Sequence, residues 1–270
     1  MTALAIYLLA VAILPALAPA GLAAAIGRSR LGRTPGFEAG AAAVALAVTV
    51  LWSFLAELDM NALLRQLPMD LPNDDAPFER WHRIGLVALA TACLAPLAVP
   101  IDRFLPGPAS RRATIGALAV GCLLAAFAAF PGDTPTDRAI TALTCAAAAA
   151  SLAAIPRPVA LASGAAAAWS TAGLAAASSF PSLAVIGGAL GLATAALALD
   201  AVHAARGDAA RDRRGTEPVV AVVLAALLAM LAACGHAYSD GSVPGWTWRA
   251  AVLAPCIVQS ARTALRRHAP

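Results

Sequence analysis

Charge is scarce in this chain. Only 13% of its residues are Asp, Glu, Lys or Arg and 60% are hydrophobic, against roughly 25% charged in a soluble globular domain. So few charges cannot cover the surface of a soluble protein of 270 residues; a surface facing lipid needs no such cover. Lysine is absent, since all 19 basic residues are Arg, which excludes mechanisms that run through a Schiff-base lysine, a retinal pigment among them. The five cysteines, Cys93, Cys122, Cys145, Cys234 and Cys256, stand singly in different apolar stretches. With no CxxC or Cys/His spacing, neither a zinc site nor a thioredoxin-like pair is encoded locally, and they read as small buried hydrophobes. No metal and no cofactor is expected, and nothing points to nucleic acid.

Charge is also missing from the middle of every apolar stretch. Glu38, Glu57 and Asp200 fall near the ends of such stretches. Intramembrane charges are costly and mark ion or proton paths, so coupling through a central carboxylate is disfavoured. Asn73-Asp74-Asp75 does not match the NDxxD pattern of prenyltransferases, because Pro77 occupies the place of the second Asp.

What is present is a series of long apolar runs: 3–26, 37–56, 84–101, 114–130, 139–155, 158–177, 180–199, 218–236 and 246–261. A helix rising about 1.5 Å per residue crosses the hydrocarbon core in roughly 17–25 residues, and it satisfies its own backbone in lipid. Barrel strands would alternate in polarity. The expected fold is therefore all-α: a polytopic α-helical membrane bundle of about nine spans, a single integral domain over 1–270. The Ala-rich run 139–155 and the run 246–261, which holds Arg249, Pro255 and Gln259, are the weakest. Ala18-Pro19-Ala20 resembles a signal-peptidase site, but no basic residue precedes the run before it, as a signal peptide requires.

Arginines set the orientation. With the N-terminus outside and the C-terminus inside, fourteen arginines fall in inner segments and five in outer ones. This predicts a multi-pass protein of a bacterial-type cytoplasmic (inner) membrane, with the lipid bilayer as its first partner.

The longest connection, 57–83, lies outside in this arrangement. Met60, Leu63, Leu64 and Leu67 recur at helical spacing, with Asp59, Asn61, Arg65 and Gln66 opposite. The spacing predicts an amphipathic helix lying in the outer interface. Phe78-Glu79-Arg80-Trp81-His82-Arg83 follows and reads as an interfacial belt or as a lid over a cavity. Two other outer clusters are Pro131 to Arg138 and His236 to Arg249. If the bundle gathers them, Glu57, His82, Asp133, His236 and Asp240 share one rim. Mid-span, Trp169-Ser170-Thr171 is the polar group placed to line a cavity. These eight are the candidate substrate-binding residues. The sequence assigns no catalytic residue.

Tight links make 139–155, 158–177 and 180–199 antiparallel neighbours. Gly187 and Gly191 form a small-xxx-small pair, suited to packing within the chain or to a membrane-protein partner or second copy. Three function classes remain: a carrier or exporter of a small apolar or zwitterionic solute, a non-catalytic subunit or assembly factor of a larger complex, and an enzyme acting on lipid-linked substrates at the outer face through His82 and His236.

Overall fold

The computed structural model of the chain describes residues 3–29, 37–65, 83–94, 121, 134–207, 217–239 and 242–268. Among these residues every regular element is a helix. In chain order they are α1 (Ala3–Leu8), α2 (Leu14–Arg28), α3 (Phe37–Arg65), α4 (Arg83–Leu94), α5 (Pro135–Ala154), α6 (Arg157–Ala177), α7 (Pro181–Gly207), α8 (Pro218–Tyr238), α9 (Gly245–Val252) and α10 (Ala254–His268).

Proline places several of the starts. It lacks the N–H that a first helical turn leaves unused, and Pro135, Pro158, Pro181 and Pro218 all stand in first turns. At α5 the Thr134 side chain also accepts from the Asp137 backbone N–H at 3.2 Å, and its hydroxyl donates to Asp137 Oδ2 at 2.7 Å. The pair closes a reciprocal N-terminal cap. Between α6 and α7 the chain reverses through Ser179, which takes a left-handed φ of 59°. Phe180 N–H donates to Ala175 O at 2.9 Å and Ser179 N–H to Ala176 O at 3.2 Å, the pairing of a Schellman turn.

α1 and α2 are one rod joined by a single π-helical turn, Leu9–Ile13. Pro15 explains part of it. In an α-helix the Val11 carbonyl would accept from residue 15, and proline has no N–H to give. Ser53 of α3 replaces it, its hydroxyl donating to Val11 O at 2.6 Å in the buried contact between the two rods.

α8 is the central column. Its residues from Val220 to Ala232 are all buried, and α3, α4, α5, α6 and α9 pack around it. A helix that is apolar all round needs such an enclosure. The periphery is the reverse. Leu4, Ile6, Leu14, Leu17 and Leu22 on α1 and α2, Trp52 and Leu55 on α3, Leu143, Trp169 and Leu199 stand exposed. A wide apolar groove of about 460 Å³ runs between α2 and α3, walled by Pro19, Leu22, Ile26, Phe37, Val48 and Trp52. Exposed apolar surface on this scale marks a membrane-embedded protein.

Among the described residues, five helices are long and apolar enough to cross a membrane: Leu4–Arg28, Phe37–Leu58, Arg157–Ala177, Pro181–Arg206 and Pro218–Tyr238. This is fewer than the nine spans expected from the sequence. The 20-residue α5 is too rich in Ala, with Asp137 and Arg138 in its first turn, to meet that measure. The run 246–261 is broken at Leu253, where Pro255 removes the N–H that Ala251 would have received. The run 84–101 is helical from Arg83 to Leu94, and its remainder, like 114–130 apart from Gly121, lies outside the described residues. The interfacial helix expected after residue 57 is, as far as Arg65, a continuation of the 29-residue α3 and not a separate element.

Charged side chains sit at the two ends of the rods. At one end Arg28 pairs with Asp200 at 2.5 Å and Arg157 with Glu38 at 2.5 Å. At the other lie Glu57, Asp137, His236 and Arg249, where Phe180 stacks on Tyr238 at 5.0 Å between ring centroids.

Candidate functional site

Two polar assemblies occupy that second end. The first is built on Glu57, which is 4% exposed at the junction of α1, α3 and α7. The Tyr7 hydroxyl donates to Oε2 and the Ser182 hydroxyl donates to Oε1 at 2.6 Å. Each carboxylate oxygen thus has a neutral donor, and the donors come from helices 50 and 125 residues away in sequence. α1 brings Tyr7 to this place across the π-helical turn, and the first turn of α7 brings Ser182 directly after the Ser179 reversal.

The second assembly is a cavity of about 130 Å³ between α5, α8 and α9. Asp137, Thr141 and Thr144 come from one helical face of α5, His236 from the last turn of α8, and Trp248 and Arg249 from α9. Alanines of α8 and Val252 complete the wall. Asp137 Oδ1 accepts from Arg249 at 3.3 Å. Its carboxyl is held below the ordinary aspartate range, chiefly by the Thr134 hydroxyl and in smaller part by the charge of Arg249. The Thr141 and Thr144 hydroxyls donate backward to Asp137 O at 2.9 Å and Ile140 O at 2.7 Å, so lone pairs are what they have left to offer. The indole of Trp248 is 1% exposed, and its buried Nε1–H meets no acceptor among the described residues.

Glycine makes room for that indole. A methyl on Gly235 would lie 2.1 Å from Trp248 Cζ3 and 2.3 Å from Cη2. The benzo edge of the ring is therefore seated on the α8 backbone, which turns the Nε1 edge away from it. Gly245 serves His236 in the same manner, its would-be Cβ 2.7 Å from the imidazole Cε1.

Of the residues singled out in the sequence, Glu57 and His236 stand at this end, in different assemblies. His82, Asp133 and Asp240 lie outside the described residues. Trp169 is 49% exposed and Ser170 is exposed, both on the periphery of α6. Thr171 is buried, its hydroxyl donating to Ala167 O at 2.9 Å within its own helix. The trio is not brought together with Glu57 or His236. Gly187 packs against Ala172, and Gly191 lies under the Trp169 ring, so this face meets α6 of the same chain. Tyr7, Ser182 and Thr141 carried no signal of their own in the sequence, and Thr144 was marked there only as a polar group inside an apolar run. Asp137, Trp248 and Arg249 lay within the polar outer clusters and are the members that meet.

No family model, curated protein or solved structure matches this chain.

Proposed function

We propose that the chain is a multi-pass protein of the bacterial cytoplasmic membrane that carries a small solute, with its N-terminus outside and its C-terminus inside. The observation behind this reading is the buried Glu57. An ionisable side chain in a span is expensive and is retained where it is used. A purely structural tie between three helices would be made at lower cost by a neutral amide, which needs no charge removed from water. Glu57 instead links α1, α3 and α7 through two hydroxyls, bonds that can be exchanged one at a time as helices part. In this reading the junction is the latch of the outer end, and its opening admits the solute.

A second reading, a non-catalytic subunit packed against other membrane proteins, draws on the solid burial of α8. One experiment separates the two. The protein is reconstituted in liposomes, and counterflow of pooled radiolabelled small amino acids and quaternary zwitterions is measured for the wild type and for Glu57→Gln. The carrier reading expects a solute that moves with the wild type and moves more slowly with the variant at equal insertion. No movement, together with a stoichiometric protein retained through gentle extraction, would establish the subunit instead. Sidedness has its own test: Ser242→Cys should react with an impermeant thiol reagent on intact cells and Ala264→Cys only after lysis, each against the background of the native cysteines. The reverse pattern would invert the orientation.

A further inference from the structure

The cavity between α5, α8 and α9 has a polar lining that is only half used. On one side stand donors. Arg249 spends one N–H on Asp137, in a single contact at 3.3 Å. The Trp248 Nε1–H has no acceptor among the described residues although it is buried, a condition rare in folded proteins. On the other side stand acceptors: the Asp137 carboxylate and the lone pairs of Thr141 and Thr144, whose protons are already committed to backbone carbonyls. The remaining wall is His236 together with an apolar surface of alanines, Gly245 and Val252.

We propose that this cavity binds a small zwitterionic amino acid, its carboxylate on Arg249 and the Trp248 indole N–H and its ammonium on Asp137 with the Thr141 and Thr144 oxygens. Charge and size both select this class. A simple anion would leave Asp137 facing it, and a simple cation would leave Arg249 and the indole facing it. A ligand with both charges a few atoms apart serves both sides, inserting between the two partners of the 3.3 Å ion pair. The cavity of about 130 Å³ has the volume of roughly four waters, which suits glycine or alanine. The Cζ3 edge of Trp248, seated on Gly235, fixes the ring and hence the direction of its N–H. The site stands whether or not the chain transports anything, because it concerns equilibrium binding alone.

The test uses the full chain in lipid nanodiscs, titrated with glycine and L-alanine by calorimetry and by saturation-transfer NMR. Acetate and methylamine serve as the two half-ligands, and L-leucine as the oversized one. Saturable binding of glycine or alanine is expected, with acetate and methylamine each weaker by about tenfold or more, the worth of a lost charge-assisted hydrogen bond. Arg249→Gln and Trp248→Phe should each weaken glycine by a similar factor, and Asp200→Asn, at the far end of the bundle, should leave it unchanged. Arg249 is partly exposed, so its variant tests the site even if the buried Trp248→Phe misfolds. Absence of saturable binding by the folded wild type, glycine binding indifferent to Arg249→Gln, acetate binding as tightly as glycine, or leucine binding as well as alanine would each overturn the assignment.

Discussion

Gly235→Ala is a stringent test of the outer-end geometry. The added methyl would meet Trp248 Cζ3 at 2.1 Å, Cη2 at 2.3 Å and Cε3 at 2.8 Å, more than 1 Å inside ordinary contact at the worst point. The indole is rigid, and at 1% exposure it has no solvent to retreat into. Overpacking of this kind costs about 1–3 kcal/mol. Against it stands the gain of replacing a helical glycine by alanine, at most about 1 kcal/mol. With the full offset the balance is a loss of up to about 2 kcal/mol, readable as a lower unfolding temperature in detergent. Trp248 lines the 130 Å³ cavity, so the ring should shift into it, changing the tryptophan emission and weakening any ligand there. The double variant Gly235→Ala with Trp248→Leu should recover part of the loss, because the flexible side chain can yield. A Gly235→Ala protein that is as stable as the wild type or more so, with unchanged emission, would refute the seating of the indole on α8.

Other outcomes follow from the same contacts. Ser53→Ala removes the 2.6 Å bond to Val11 O and should cost about 1–2 kcal/mol; in a Pro15→Ala background the backbone can supply the missing donor, so the cost should shrink, and an equal cost in both backgrounds would dismiss proline as the cause. Tyr7→Phe and Ser182→Ala each strip one donor from the buried Glu57 and should lower stability by about 1–3 kcal/mol, with Tyr7→Phe costing less once Glu57 is Gln; additive losses in that double-mutant cycle would show that the hydroxyl and the carboxyl do not act as a pair. The folded carboxyl of Asp137 lies below its ordinary range, so its contribution is fully present above that range and is lost as pH falls through the lowered folded value. Acid titration of the unfolding temperature should therefore show a component that persists below the usual aspartate range, and Asp137→Asn should remove it; an unchanged profile would count against the Thr134 and Arg249 contacts.

Much of the architecture was legible because lipid imposes a coarse code. Apolar runs of span length gave Leu4–Arg28, Phe37–Leu58 and Pro218–Tyr238 nearly to the residue. The count was less legible. Alanine is a strong helix former but gains little from lipid, so α5 looks continuous in sequence without being apolar enough to qualify. Glu57 was visible as an acid at the end of a run, whereas Tyr7 and Ser182 were not, being single hydroxyls 50 and 125 residues away. Ser170 and Thr171 show a related limit, one exposed and the other bonded within its own helix. Depth in the membrane can be read from position along a run, but azimuth, whether a side chain faces lipid, a neighbour or a cavity, depends on packing between distant segments. Asp137 and Arg249 illustrate the same limit: each lay in a polar cluster, and nothing in either cluster named the other.

Azimuth also gives the π-helical turn at Leu9–Ile13 a meaning beyond its hydrogen bonds. A wide turn holds one more residue than an α-turn, and each residue in an α-helix advances the face by about 100°. Relative to unbroken α-helix, the wide turn therefore acts as a fixed rotation between two lengths of one rod. Below it, Ala16, Ala20 and Ala23 keep their buried positions in the bundle; above it, Tyr7 is aimed at Glu57. Winding the same residues as unbroken α-helix would leave the lower length where it is and swing the tyrosine about a quarter turn away from its present azimuth. The phase of the rod, rather than its composition, decides whether the carboxylate has its phenol.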